Sequence, residues 1–194
     1  MQEELIRSFI AIELPPEMVS RLKEFQARFK LPRHTFVKWV SPESIHLTLK
    51  FLGNVTMKQV EQLNAMLQTN SREFDQFELR TARTGCFPNE KRVRVFWLGL
   101  EGEIPKLMSL HKAIDEGSAK LGFPSENRPY TAHLTLARIK EECSPSQRWE
   151  FVELIRDASF EPESIIQVKR VSLMRSKLTP GGAVYTRLAE HHLS

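Results

Sequence analysis

The tetrapeptide His46-Leu47-Thr48-Leu49 is repeated letter for letter as His133-Leu134-Thr135-Leu136 in the second half of the chain. Each copy sits in a run that reads as a β-strand. Side chains on a strand alternate between faces, so each copy offers an imidazole and a hydroxyl on one face and two leucines on the other. Two such strands facing each other would gather two imidazoles and two hydroxyls in one cleft. Imidazoles titrate near ~6.5 when unperturbed. One, neutral, takes a proton from water while the other, protonated, gives one to a leaving oxygen. The two hydroxyls then serve as donors to phosphoryl oxygens while charge builds on them. The set suits in-line displacement at phosphorus, with acid and base on opposite sides.

A lone histidine on a strand is ordinarily a satisfied, partly buried residue. The duplication argues against that reading here. Packing alone would preserve the leucines of a repeat, but it has no need of both His and Thr at matching positions. A zinc site wants three or four N, S or O ligands, and each motif brings one histidine with no Asp, Glu or Cys inside it. A threonine nucleophile is a third use of the same residues and the weaker one.

The elements that must hold these strands follow from pattern. Arg7–Leu14 reads as a strand, and Pro15-Pro16 opens a helix to about Lys30. Phe36–Val40 is a short strand, and Ser41-Pro42 leads into the His46 strand, which ends near Leu52 at a Gly53-Asn54 turn. Thr56 with Gln59, and Ser144 with Gln147, are capping boxes. Phe74–Thr84 is a strand followed by a loop at Gly85–Asn89. Arg92–Leu100 is a strand, and Ile104–Leu121 a long helix closed by Gly122. A loop at Pro124–Pro129 precedes the Tyr130–Ile139 strand with the second motif. Ile165–Lys177 and Ala183–Ala189 are strands joined by a tight turn at Thr179–Gly182. Phe9 and Pro42 stand as far before His46 as Phe96 and Pro129 stand before His133. The expectation is an α+β fold: one bilobal domain over 1–194, made of two similar lobes from an internal duplication. The approximate halves are 1–89 and 90–194, with room for exchange of terminal strands. Antiparallel-type sheets would face a central groove, with helices on the outer faces.

Hydrophobic content of 41% and charged content of 27% are those of a globular protein. No apolar run is long enough to span a bilayer, and the acidic Met1-Gln2-Glu3-Glu4 does not read as a secretion signal. Cys86 and Cys143 form no CxxC, so a reduced, cytoplasmic setting is expected. The net charge of +4 suits a polyanionic partner such as RNA. A monomer is expected, since nothing demands a partner protein.

Paired His-x-Thr-x motifs half a chain apart resemble the two-histidine phosphoesterase superfamily. His46–Gly53, Val93-Arg-Val-Phe-Trp-Leu-Gly99, Pro129-Tyr-Thr-Ala-His-Leu-Thr-Leu-Ala-Arg138 and Gly181-Gly-Ala-Val-Tyr185 narrow the likeness. They resemble the bacterial and archaeal RNA 2′,3′-cyclic phosphodiesterases, a family also known as 2′-5′ RNA ligase. The resemblance implies a two-lobed fold, a groove site without metal or cofactor, and RNA 3′ ends bearing a 2′,3′-cyclic phosphate as substrate, opened to a 2′-phosphate. By position His46 resembles the family's proton donor, His133 its proton acceptor, and Thr48 and Thr135 its phosphate-binding hydroxyls. The same residues run in reverse would give 2′-5′ RNA ligation. Hydrolysis of small cyclic nucleotides or 2′-5′ oligonucleotides is a further use of such a site, and a non-catalytic RNA-binding module is an alternative of another class.

Around the motifs, alternation puts Lys50 on the face of His46 and Thr48, within reach of phosphate. Arg92 and Arg94 share one face of the strand that opens the second half, as candidates for RNA phosphate. Arg138 falls on the face opposite His133 unless a bulge re-aims it. Tyr130 and Phe87, at strand ends, are candidates for stacking on a terminal base. Phe9, Phe51, Phe96 and Trp97 are assigned to the core. His34, His111, His191 and His192 are expected at helix surface, loop or tail.

Overall fold

Segments rich in β-branched and aromatic residues form strands, and the amphipathic runs between them form helices. The computed structural model describes residues 5–126, 128–179 and 182–194. The acidic start at 1–4, Asn127, and Pro180-Gly181 at the centre of the expected turn lie outside the described residues. In order, the elements are β1 (Ile6–Glu13), α1 (Pro16–Ala27), β2 (Val37–Trp39), β3 (His46–Val55), α2 (Met57–Ser71) and β4 (Phe77–Phe87). They continue with β5 (Val95–Gly102), α3 (Ile104–Lys120), β6 (His133–Ile139), α4 (Pro145–Ile155), β7 (Ile165–Val168), β8 (Arg170–Thr179) and β9 (Gly182–His192). Both capping boxes form: Thr56 and Gln59 start α2, and Ser144 and Gln147 start α4, each pair exchanging side-chain and backbone bonds. Among the described residues no helix is long and apolar enough to cross a membrane.

Two antiparallel sheets result, a four-stranded one in the order β3-β1-β8-β9 and a five-stranded one in the order β2-β6-β5-β4-β7. The sequence halves and the lobes do not coincide. β4, from the first half, pairs with β5 of the second. β8, from the second half, pairs with β1 of the first. Helices are exchanged as well. α1 lies on the five-stranded sheet, where Phe25 and Phe29 meet Phe96 and the Gln26 amide donates to the Leu136 carbonyl. α3 lies on the four-stranded sheet against β3. One large apolar cluster fills the space between helices and sheets. A second, of Phe9, Ala11 and Met174 with Tyr185 packed on it, lies on the other face of the four-stranded sheet.

Several boundaries differ from the pattern-based reading: β5 starts at Val95, β6 at His133, and β9 runs on to His192. β3 continues through Gly53-Asn54 to Val55, with Gly53 at a positive φ of 73°. β4 extends to Phe87, because Gly85, Cys86 and Phe87 pair with Trp97, Phe96 and Val95. The Ile165–Lys177 run is two strands, divided at Lys169. β7 pairs with β4 in one sheet, and β8 with β1 and β9 in the other. Continuous apolar alternation cannot reveal a change of sheet, since each strand satisfies it separately.

Candidate active site

His46 and His133 begin β3 and β6, the two strands along which the sheets meet. The arrangement around the two rings is nearly the same. His46 Nδ1 lies 2.8 Å from the Ser44 carbonyl, and His133 Nδ1 lies 2.8 Å from the Thr131 carbonyl. A carbonyl only accepts, so Nδ1 carries the hydrogen in each ring and Nε2 is the basic nitrogen. Thr48 and Thr135 follow two residues on, on the same faces as their histidines, with Leu47, Leu49, Leu134 and Leu136 buried behind.

Both strands break alternation at the same place. Ala11 pairs with Thr48 but Ile10 with Lys50, so Leu49 is an extra residue. Trp97 pairs with Thr135 but Phe96 with Ala137, so Leu136 is an extra residue. Each bulge turns two consecutive residues inward and sends the next one back to the site face. Lys50 is therefore not on the face of His46 and Thr48. It is 2% exposed, and its ammonium is held by Asp115 of α3 at 2.5 Å and by the Pro124 carbonyl at 2.6 Å. Phe51 takes the outward place and is 59% exposed, which removes it from the core. In β6 the same shift re-aims Arg138, which leaves the buried face and pairs across from Val95. Its charge is felt by both imidazoles.

Burial is the main reason both histidines sit below the ordinary imidazole pKa, and the Arg138 cation pushes each further down. The accepting carbonyls of Ser44 and Thr131 pull the other way. Only His46 has a carboxylate counterweight among the described residues. Glu13, its cross-strand neighbour in β1, favours the imidazolium. The Glu13 carboxylate is itself fixed by Ser172 Oγ at 2.7 Å and Arg187 Nε at 2.8 Å; burial raises its pKa, but these donors outweigh it and hold it low. Arg138→Gln is expected to raise the pKa of both rings, the sign following from loss of a like charge. Histidine Cε1–H titration by NMR in the free protein measures it, and a shift confined to one ring would contradict the shared position of Arg138.

The aromatic surroundings are unequal. His46 stacks on Phe9 with centroids 4.6 Å apart, and Tyr185 of β9 meets it edge-on at 5.1 Å. His133 is met edge-on by Phe87 at 5.0 Å and by Trp97 at 6.4 Å. Trp97 thus borders the site and is not simply core. It lies over Gly85, where a Cβ would run into the indole. Phe87, at the end of β4, is placed where a base could reach it. Tyr130 is otherwise engaged: its hydroxyl donates to the Thr48 carbonyl at 3.0 Å and its ring stacks on His111 at 4.0 Å.

The geometry is that of two equivalent half-sites. The profile of the LigT like Phosphoesterase family matches the chain twice, over residues 12–97 and again over 98–185, once around each motif. The chain belongs to this family. Over 182 residues it is 35% identical to an RNA 2′,3′-cyclic phosphodiesterase of Methanothermobacter thermautotrophicus, covering 93% of this chain and 95% of that protein. A protein of the same name from Methanocaldococcus jannaschii is 31% identical, over 95% of this chain and 99% of its own. Among solved structures, E. coli LigT complexed with 3′-AMP superposes with a TM-score of 0.78 at 26% identity, covering 98% and 99% of the two chains.

In this LigT-like chain Arg92 and Arg94 do not open a strand. Arg92 closes a 3₁₀ turn (Glu90–Arg92), and Arg94 precedes β5, 3.5 Å from Glu141. His34 is buried rather than peripheral, its Nε2 3.1 Å from Glu150. The sequence does not single out Glu13, and it offers Tyr185 only as the end of the Gly181–Tyr185 stretch, not as a neighbour of His46. Glu13 closes β1 after the apolar run Phe9–Ile12, a place for a carboxylate that nothing local explains.

Proposed function

We propose that the chain hydrolyses the 2′,3′-cyclic phosphate at RNA 3′ ends to a 2′-phosphate by metal-independent general acid–base catalysis. His133 Nε2 takes a proton from water as the water oxygen bonds to phosphorus. The bond from phosphorus to the 3′-oxygen breaks, and the His46 imidazolium gives that oxygen its proton from Nε2. The hydroxyls of Thr48 and Thr135 donate to the non-bridging oxygens, and the Arg138 guanidinium balances their charge. The observation that carries the reading is the pair of imidazoles with the same fixed tautomer and unequal neighbours. Glu13 supports a proton on His46, and His133 lacks that support. The family membership and the names of the relatives supply cyclic phosphate and RNA as substrate. The reading extends to a cytoplasmic monomer: one chain furnishes both half-sites, and Cys86 and Cys143 are unpaired.

A short RNA ending in a 2′,3′-cyclic phosphate, incubated with protein and chelator, is expected to give a 2′-phosphate by ³¹P NMR. A 3′-phosphate product would reverse the leaving group, and loss of turnover to the chelator would overturn the metal-free step.

A further inference from the structure

Beyond the histidines, the described residues form a second concavity, about 520 Å³, between the Glu90–Arg92 turn and the first turns of α4. Lys91, Arg92, Arg94 and Arg148 line it, with Glu90 the sole carboxylate and Trp149 as its aromatic wall. Trp149 is 67% exposed, an indole left in solvent on a helix that buries Phe151, Val152 and Ile155 and half-buries Leu154. Arg148 is spent on structure, donating to the Val93, Lys140 and Glu141 carbonyls. Among the described residues the ion pair of Arg94 is an exposed one with Glu141, which is worth little. Lys91 and Arg92 are exposed and make no ion pair among the described residues.

The segment that bounds the concavity is hydrogen-bonded to two strands of the candidate active site. Arg94 N–H donates to the Phe87 carbonyl at 2.8 Å, and the Arg94 carbonyl accepts from Ile139 N–H at 2.9 Å. Phe87 is the ring against His133, and Ile139 follows Arg138. Arg94 thus ties the near wall of the slot to Phe87 and to the residue after Arg138, while α4 packs on the Phe96 side of the sheet. Guanidinium and ammonium groups around an exposed indole are what holds single-stranded nucleic acid: cations track the backbone while a base stacks on the ring.

We infer that this slot binds the single-stranded RNA 5′ to the cyclic end, stacking one base on Trp149 and placing backbone phosphate against Lys91 and Arg92. The inference rests on the proposed activity for its substrate, and the slot is a site apart from the chemistry.

The test compares a 2′,3′-cyclic mononucleotide with a hexanucleotide RNA carrying the same end, for wild type, Trp149→Ala and Arg92→Ala. The variants should leave mononucleotide turnover unchanged and raise KM for the hexanucleotide about tenfold at constant kcat, in line with the loss of one base stack. For Arg92→Ala the salt dependence of hexanucleotide affinity should also weaken, by about 0.7 in the log–log slope for one phosphate contact. Equal losses on both substrates, or no loss on either, would overturn the slot. Tryptophan fluorescence with a hexanucleotide ending in a plain 3′-phosphate separates this from the proposed activity. Quenching in wild type that Trp149→Ala abolishes supports the slot even if no cyclic end is opened. RNA binding without quenching, or no RNA binding, refutes it.

Discussion

His46→Ala and His133→Ala are each expected to lower kcat/KM on a cyclic-ended RNA by about 10³-fold, within the range for loss of a positioned acid or base, while RNA binding persists. The two losses differ in pH dependence. A base must be deprotonated, so wild-type activity falls on the acid side as His133 gains its proton; that limb should vanish in His133→Ala. An acid must be protonated, so activity falls on the alkaline side as His46 loses its proton; that limb should vanish in His46→Ala. Both rings sit below the ordinary imidazole value, chiefly through burial, so both limbs are expected on the acid side of a profile set by unperturbed histidines. Full pH–rate profiles of the three proteins, with circular dichroism to establish folding, decide the matter. Exchange of the two limbs would swap the roles of the histidines; retention of turnover in either variant would remove that ring from the chemistry.

Asp115→Ala is expected to be the most damaging substitution away from the rings. Lys50 has a side chain only 1% exposed, and Asp115, at 17%, is its one carboxylate partner among the described residues. Removing the partner leaves an ammonium buried with the Pro124 carbonyl alone, a change that costs about 3 kcal/mol or more. For a chain of this size that lowers Tm by roughly 6–12 °C. Lys50→Met should cost much less, because the charge departs with the side chain and the more accessible Asp115 rehydrates. Thermal and urea unfolding of both variants measure the difference. Equal destabilisation would mean that the volume of Lys50, and not its charge, is what the core requires. Turnover should fall in Asp115→Ala as well, since α3 and the loop before β6 are fastened to the strand that carries Thr48.

The duplicated motif, both capping boxes and the alternation of antiparallel strands were legible in the sequence because each is a local pattern. What lay hidden came from register. Strict alternation gives Lys50 to the site and Arg138 to the core. The bulges at Leu49 and Leu136 reverse both assignments and bring Phe51 to the surface. Neither bulge is marked by glycine or proline. The trace it leaves is a pair of adjacent inward residues, Leu49-Lys50 and Leu136-Ala137, and only the second pair is apolar enough to notice. Glu13 and Tyr185 reach His46 across strands distant in sequence, where no spacing rule applies. The passage from β7 to β8 at Lys169 is likewise a property of pairing, which no single segment contains.

That passage belongs to a larger lacing. From β1 in the four-stranded sheet the chain goes to α1 on the five-stranded one and returns at β3. It departs again at β4, comes back with α3, leaves with β6 and returns at β8. A clamshell needs one or two strands at its hinge; here many crossings tie the two sheets together. Parting the two sheets would strain several of these links at once. A groove so laced would act as a gauge of nearly constant width between His46 and His133, to which the proposed RNA end would have to conform. A frayed or unpaired terminus can enter such a gauge, whereas an end held in a duplex must first be peeled from its partner.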